Sequence, residues 1–470
     1  MRLADGDRCL YPEVEKMPRE QLKALQLKKL QQQAEYIYAR SAFYRKLFQK
    51  AGFRPEQLKS LDDIRRLPMI GKADLLNDQQ ENPPYGERLC VKREDIVMTI
   101  LTSGTSGIGQ ETYAMTRADV EYSGSAWAVW FYRAGIGRGD AVMLTWPLGT
   151  NSGPQAAFMG AFKIGTNVFP LGMYESKVKI RNYFLPFNPA GILATPTYLT
   201  HLTVLCKEMG VDPHKEMPGL KGIFLGTESY PLSWAEEMEE IWDTRLHDLY
   251  GSTQQGAMAA CTCERGALYK ERRGLMHLDE AGTLYEVIDP KSGEELQPGE
   301  VGELVVTNLN RQATPLFRFR SGDRVRRVSY KECDCGRTWD ALECSSIARY
   351  DDMIKIRSQN VWPETVDEII FSFPEVEEYN GKVFVDERGR EQVQIRIEFK
   401  TSCTDSERKR GVTDELSSNL RERTGVRMEV LEAPHGTLER FLFKTRRWTD
   451  ERKTGLQRVK YILGGTKETS

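Results

Sequence analysis

The stretch LTSGTSGIGQE, Leu101 to Glu111, sets the terms for reading the rest of this chain. Small and hydroxylated residues fill most positions from Thr102 to Gln110, between an apolar run (Ile96 to Leu101) and a patterned segment beginning near Thr116. Glycines let such a loop turn sharply and bring its backbone close to a ligand. Hydroxyls and free N–H groups then face inward as donors to phosphate oxygens. The loop suits a nucleotide triphosphate tail. It is not a Walker loop, because no Gly-Lys-Ser/Thr closes it. Alone it reads equally well as a flexible Gly/Ser surface loop, so the motifs around it carry the decision.

Size and charge narrow the choice. A chain of 470 residues is long enough for large cores and more than one domain. Lys plus Arg total 66 against 68 Asp plus Glu, a net charge of −2, which argues against nucleic acid as the main partner. No apolar run approaches the ~20 residues that span a bilayer, and the first residues lack an apolar signal core. The expectation is a soluble cytoplasmic protein with no membrane partner. Nine cysteines, an odd count without export signals, argue against a disulfide framework. Five histidines make a multi-histidine catalytic centre a poor expectation.

The pattern along the chain is α/β. Residues 19 to 50 carry Leu22, Leu25, Leu27 and Leu30 among Lys and Gln, an amphipathic helix. Residues 61 to 76 read as a helical stretch interrupted at Pro68, and Ala118 to Arg133 as an aromatic-rich helix. AVMLTW (Ala141 to Trp146) and GIFLG (Gly222 to Gly226) are short apolar runs alternating with helical segments, as in a parallel sheet covered by helices. GELVVTNL (Gly302 to Leu309) alternates like a strand. After Arg349 the character changes. Asp351 to Phe373 reads as strand, turn and helix, and Lys382 to Lys400 as two strands around a turn at Asp386 to Gly389. The expected organisation is a large domain over residues 1–349 with mixed sheets and helices, and a small mobile α+β domain over 350–470.

Four further motifs follow the loop. DLYGSTQQG (Asp248 to Gly256) offers an aromatic face beside glycine and hydroxyls. PLFRFRSGD (Pro315 to Asp323) ends in a carboxylate with two acceptor oxygens, suited to a ribose diol. ARYDDMIKIRSQNVWP (Ala348 to Pro363) sits at the domain junction. FKTRRWTDER (Phe443 to Arg452) carries Lys444, a mobile positive charge. Each has a plain reading: a strand end, an ordinary turn, a charged linker and a solvated basic helix face.

In this order the chain resembles the adenylate-forming superfamily of acyl- and aryl-CoA synthetases, adenylation domains and luciferases, above all its phenylacetate-CoA ligase branch. The resemblance runs end to end. It includes YPEVEKMPREQL (Tyr11 to Leu22), FYRKLFQKAGF (Phe43 to Phe53) and LPMIGKADL (Leu67 to Leu75). It implies an ATP-dependent ligase joining a carboxylic acid to CoA through an acyl-adenylate, with magnesium. An acceptor other than CoA, either a carrier protein or an amine, stays open, as do a homodimer and a weakened homologue that only binds. Thr102, Ser103, Gly104, Thr105, Ser106 and Gly107 would wrap the β- and γ-phosphates. Gly226, Thr227 and Glu228 would form the loop near adenine. Asp248, Tyr250 and Gly251 would lie between adenine and the acyl pocket, with Ser252 beside them and Thr253 on the α-phosphate. Asp323 would bind ribose with Arg349 close by. Asp351 would be the hinge, and Lys444 the lysine delivered to the carboxylate–phosphate junction. Trp146 and Tyr250 are candidates for the acyl pocket, although most aromatics here are expected in the core.

Two positions depart from the family. Relatives usually end the phosphate loop with Gly-Lys-Pro, whereas here Gly107 is followed by Ile108, Gly109 and Gln110. Relatives usually follow Tyr-Gly-x-Ser/Thr with Glu near magnesium, and here Gln254 takes that place. An amide oxygen can still coordinate magnesium or hold its water but adds no net charge. The expectation is weaker metal–ATP binding, tightened by Gln254→Glu.

Cys261, Cys263, Cys333, Cys335 and Cys344 cluster in sequence. The CDCGR run, Cys333 to Arg337, is a tight turn whose two thiolates can grip one side of a zinc ion, with Cys263 and His277 completing a tetrahedron. Cys261 is an alternative to Cys263. A subset of the phenylacetate-CoA ligase relatives looks similar. A closed four-ligand site makes the zinc structural, within 261–337.

Overall fold

The computed structural model describes residues 8–102, 109–256, 258–356, 359–386, 389–439 and 447–452. They fall into two compact units, Met1–Thr227 with Ala235–Asp351, and Glu228–Trp234 with Asp352–Ser470. Among the described residues no helix is long and apolar enough to cross a membrane.

The first unit is built on a twelve-stranded mixed sheet. Five strands at one end are parallel: Asn167–Pro170, Ala141–Leu144, Gly191–Ala194, Gly222–Leu225 and Leu246–Tyr250, in that spatial order. The two expected runs, Ala141–Leu144 and Gly222–Leu225, are buried at every residue. A continuous apolar run is what a strand covered on both faces requires. Antiparallel strands extend the sheet from Leu246–Tyr250 through Ala260–Thr262 and Leu275–Leu278. The carboxyl ends of parallel strands are where open α/β sheets bind ligands, and the loops after Leu144, Leu225 and Tyr250 all leave from that edge.

The helix Arg117–Arg133 supplies much of the core. Its start is fixed by Thr116, whose side chain accepts from the Asp119 N–H. The buried Asp119 carboxylate returns a bond to the Thr116 N–H and also takes those of Gln312 and Ala313, so one capping acid ties the helix to a loop far along the chain. Trp127, Trp130 and Phe131 face inward and pack with Phe224 and Trp146.

Sequence expectations need refinement at three places. Residues 19 to 50 form two helices, Arg19–Arg40 and Ala42–Lys50, divided at Ser41, whose extended backbone ends the first and whose side chain caps the second. Residues 61 to 76 form a 3-10 segment, Leu61–Arg66, then the helix Lys72–Glu81; Pro68 and its restricted predecessor keep the two apart. The strand Val301–Asn308 is buried on both faces beyond its first residue rather than alternating. Its polar residues are paired, Glu303 with Arg320 and Thr307 with the Arg318 N–H. The period-two pattern therefore marks satisfied polar positions, not a wet face.

The second unit has a four-stranded sheet with the hairpin Val376–Val385 and Glu391–Phe399 at its centre, as the turn at Asp386 to Gly389 predicts. The helices Pro363–Ile370 and Ser406–Thr424 contribute Val366, Ile370, Leu416 and Leu420 to a core with Val383 and Ile395.

Candidate functional site: a nucleotide-side cluster and a cysteine–histidine cluster

Asp323 and Arg349 stand directly opposite each other in paired strands. The guanidinium Nη1 lies 3.2 Å from one carboxylate oxygen. Tyr250, last residue of its parallel strand, donates its hydroxyl to the other oxygen at 2.5 Å. Gln255 Nε2 donates to the same hydroxyl at 2.8 Å. Burial, reinforced by the Asp323 carboxylate, pushes the Tyr250 hydroxyl well above its ordinary value, so it remains a donor. Hydrogen bonds to a charged acceptor are worth about 1.5–3 kcal/mol each. Two motifs 73 residues apart thus meet at one acid.

The other expected residues sit as follows. Thr253 accepts from the Ser152 hydroxyl at 3.2 Å, and Ser252 Oγ accepts from the Gln255 N–H. Asp248 is buried, and its carboxylate accepts from the Ser345 N–H at 3.0 Å. A Cβ on Gly226 would lie 3.2 Å from the Trp146 ring and 3.1 Å from Leu249, so a side chain there would need both neighbours to give by a few tenths of an ångström. Thr227 takes φ +75°, a costly backbone for a β-branched residue and of the kind that clusters at ligand sites. Glu228 falls in the second unit with Glu228–Trp234. Trp146 is 5% exposed within the core and packs edge-on to Trp127. Its indole N–H has no partner among the described residues. Asp351 ends the first unit, in the 3-10 turn Tyr350–Asp352. Ser103, Gly104, Thr105, Ser106, Gly107 and Lys444 lie outside the described residues.

Gln254 has a neighbour that no motif indicated. Its Nε2 donates to Glu111 Oε2 at 2.8 Å across 143 residues of chain. With its nitrogen held there, Gln254 has its amide oxygen for a cation, a donor that fits hard magnesium.

The second cluster joins Cys263, His277, Cys333 and Cys335, whose ligand atoms all lie within 4.8 Å of one another. Cys263 follows the strand Ala260–Thr262, and His277 lies on the adjacent strand Leu275–Leu278. Cys333 and Cys335 come from the CDCGR turn, which Gly336 closes at φ +78°. The Cys263 and Cys333 sulfurs are 3.8 Å apart, and Cys335 Sγ is 3.3 Å from His277 Nε2. Zinc bonded at its usual lengths in a tetrahedron sets S···S near ~3.8 Å and S···N near ~3.6 Å. The residues fit that ion. His277 Nδ1 lies 2.9 Å from the Trp339 carbonyl, which fixes the proton there and leaves Nε2 for a metal. Burial alone would depress His277, but hydrogen bonds with the Cys333 and Cys335 sulfurs outweigh it and push it up to about 9. Cys261 does not join this group; its sulfur accepts from Arg133 Nη1 at 3.0 Å.

Residues 17–310 match the family model for AMP-binding enzymes, and residues 358–452 match its C-terminal domain. The chain belongs to the AMP-binding enzyme family. This AMP-binding enzyme is 31% identical to the phenylacetate-coenzyme A ligase of Thermus thermophilus over 392 residues, 82% of this chain and 83% of that protein. In three dimensions it is similar to 2-hydroxyisobutyryl-CoA ligase in the postadenylation state in complex with R3-HIB-AMP. The TM-score is 0.85 at 26% identity, covering 99% of this chain and 97% of the other. With that ligase in complex with 2-HIB-AMP and CoA in the thioesterification state the TM-score is 0.69 at 27% identity, covering 98% and 96%.

Proposed function

We propose that this AMP-binding enzyme is an ATP-dependent carboxylate–CoA ligase acting on an aromatic acid through an acyl-adenylate. The observation that carries the reading is the convergence of Tyr250 and Arg349 on Asp323, at the sheet edge of a chain whose likeness to CoA ligases runs over nearly its whole length.

The chain's part is chiefly to position groups and neutralise charge. Asp323, oriented by Tyr250 and Arg349, accepts from the ribose hydroxyls. The loop Thr102–Gly107 donates to the β- and γ-phosphates, and Thr253 to the α-phosphate. Gln254 contributes its amide oxygen to magnesium, which when bound spreads the charge of the phosphate tail. The substrate carboxylate attacks the α-phosphorus in line and pyrophosphate leaves. Lys444 stabilises charge growing at that centre. Residues 350–470 then turn about Asp351 and replace Lys444 with a face that admits the pantetheine thiol. The sulfur attacks the acyl carbon and AMP leaves. Trp146 and Tyr250 border the acyl pocket. Cys263, His277, Cys333 and Cys335 would hold zinc with four protein ligands, and the ion would serve folding.

Pyrophosphate release from ATP across a panel of aryl acids tests the first half-reaction. Release with one or more aryl acids, followed by thioester formation when CoA is added, supports the reading. Release that leads to product only with an amine or a carrier protein redirects the second step. No release with any acid sinks the proposal.

A further inference from the structure

Gln254 stands where relatives carry glutamate, yet the fold returns a carboxylate to it from another part of the chain. Glu111 is fully buried at 0% exposure. Oε2 accepts from Gln254 Nε2 at 2.8 Å and Oε1 from the Tyr113 hydroxyl at 2.8 Å. Lys72 Nζ lies 3.8 Å from Oε2. The Glu111 backbone closes the neck of the phosphate loop, accepting from the Thr102 N–H at 3.0 Å and donating to Thr102 Oγ1 at 2.9 Å.

The opposite side of Gln254 is also charged. Arg311 Nη1 donates to the Gln254 carbonyl at 2.7 Å, and its guanidinium lies 5.1 Å over the Tyr113 ring. Arg311 Nε and Nη2 are buried with no partner among the described residues. A buried guanidinium with two nitrogens unpartnered favours negative charge on this cluster.

A carboxylate only accepts, so the amide nitrogen of Gln254 must face Glu111 and its oxygen must point away. The pair then presents one oriented amide oxygen, backed by a buried carboxylate that is ion-paired with Lys72. We propose that Glu111 orients Gln254 for magnesium–nucleotide. It acts as a positioning residue that fixes the Gln254 amide. The inference rests on the ligase reading above. It predicts, against the sequence expectation, that Gln254→Glu gains little in metal binding, because a second carboxylate beside Glu111 meets like-charge repulsion.

The test is calorimetric titration of the full chain with a non-hydrolysable ATP analogue over a magnesium series. It compares wild type, Glu111→Gln, Gln254→Glu and the exchange variant carrying both. Outer partners of metal ligands are typically worth 10–100-fold in affinity. Glu111→Gln should therefore raise the magnesium needed for half-maximal binding by roughly 10-fold or more. The exchange variant should return to within about 3-fold of wild type, a rescue that lost packing alone would not give. If Glu111→Gln melts early, the exchange variant alone decides. An unshifted Glu111→Gln, or an exchange variant that still needs roughly 10-fold or more magnesium than wild type, overturns this inference and leaves the ligase reading standing. A wild type that binds no nucleotide overturns both.

Discussion

The cysteine–histidine cluster and the Glu111–Gln254 pair each join distant stretches of chain, but they are built for opposite demands. The first gathers three sulfurs and one nitrogen within 4.8 Å, on adjacent strands and a tight turn that need not move. The second sets one carboxylate against one amide at the neck of a loop. Soft, closed and preassembled on one side, hard and open at Gln254 on the other: the contrast separates a donor set suited to structural zinc from one suited to magnesium.

The largest effect should come from the closed cluster. Freshly purified protein should hold zinc at one per chain by elemental analysis. Chelation or Cys333→Ser should lower the melting temperature by roughly 5–10 °C, with activity lost only through stability. Metal-free protein with an unchanged melting curve would break the comparison. The next effect belongs to the open side. Lys444→Ala should slow adenylation by ~10²–10³ and spare thioester formation from a supplied acyl-adenylate, as read by pyrophosphate release and by single turnover. Equal loss in both steps would remove its assigned role.

An acid titration sharpens the structural side. Glu15 is fully buried against Arg133 and Arg337, and Arg337 belongs to the CDCGR turn. Burial raises the Glu15 carboxyl, but the two arginines outweigh it and bring it from 4.5 down to about 2. Its stabilisation is complete above pH 4.5, is lost as pH falls through about 2, and amounts to about 3 kcal/mol. Denaturant melts of wild type and Glu15→Gln should therefore differ most above that window and converge at its acid end. A constant difference across the range would place the stabilisation elsewhere. The smallest effect is at Gln254→Glu, which should move the magnesium dependence of pyrophosphate release by less than about 3-fold. A strong tightening would mean that Glu111 does not set how Gln254 meets the metal.

The two clusters also differ in how they appear in the sequence. CDCGR is legible because two sulfurs two residues apart are rare without a metal, and a chain with so few histidines leaves little choice of partner. Choosing Cys263 over Cys261 required the strand pairing, since only the fold sends the Cys261 sulfur to Arg133. The apolar runs at Ala141 and Gly222 were legible as buried strands because a covered parallel strand reads as a near-continuous apolar run. Glu111 was hidden, since a carboxylate at the end of a Gly/Ser run carries no periodicity and meets Gln254 only through tertiary folding. Asp323 was legible as an acid near a turn, but its clamp by Tyr250 and Arg349 follows from strand register that local sequence does not fix.

The central claim, that a carboxylate attacks the α-phosphorus of ATP, has a direct test. The acid found active in the pyrophosphate panel is labelled with 18O in its carboxyl group, and the AMP released after CoA is added is weighed by mass spectrometry. The account predicts AMP carrying a single 18O atom, the bridging oxygen of the adenylate left behind when sulfur takes the acyl group. Unlabelled AMP, or ADP as the nucleotide product, would contradict it.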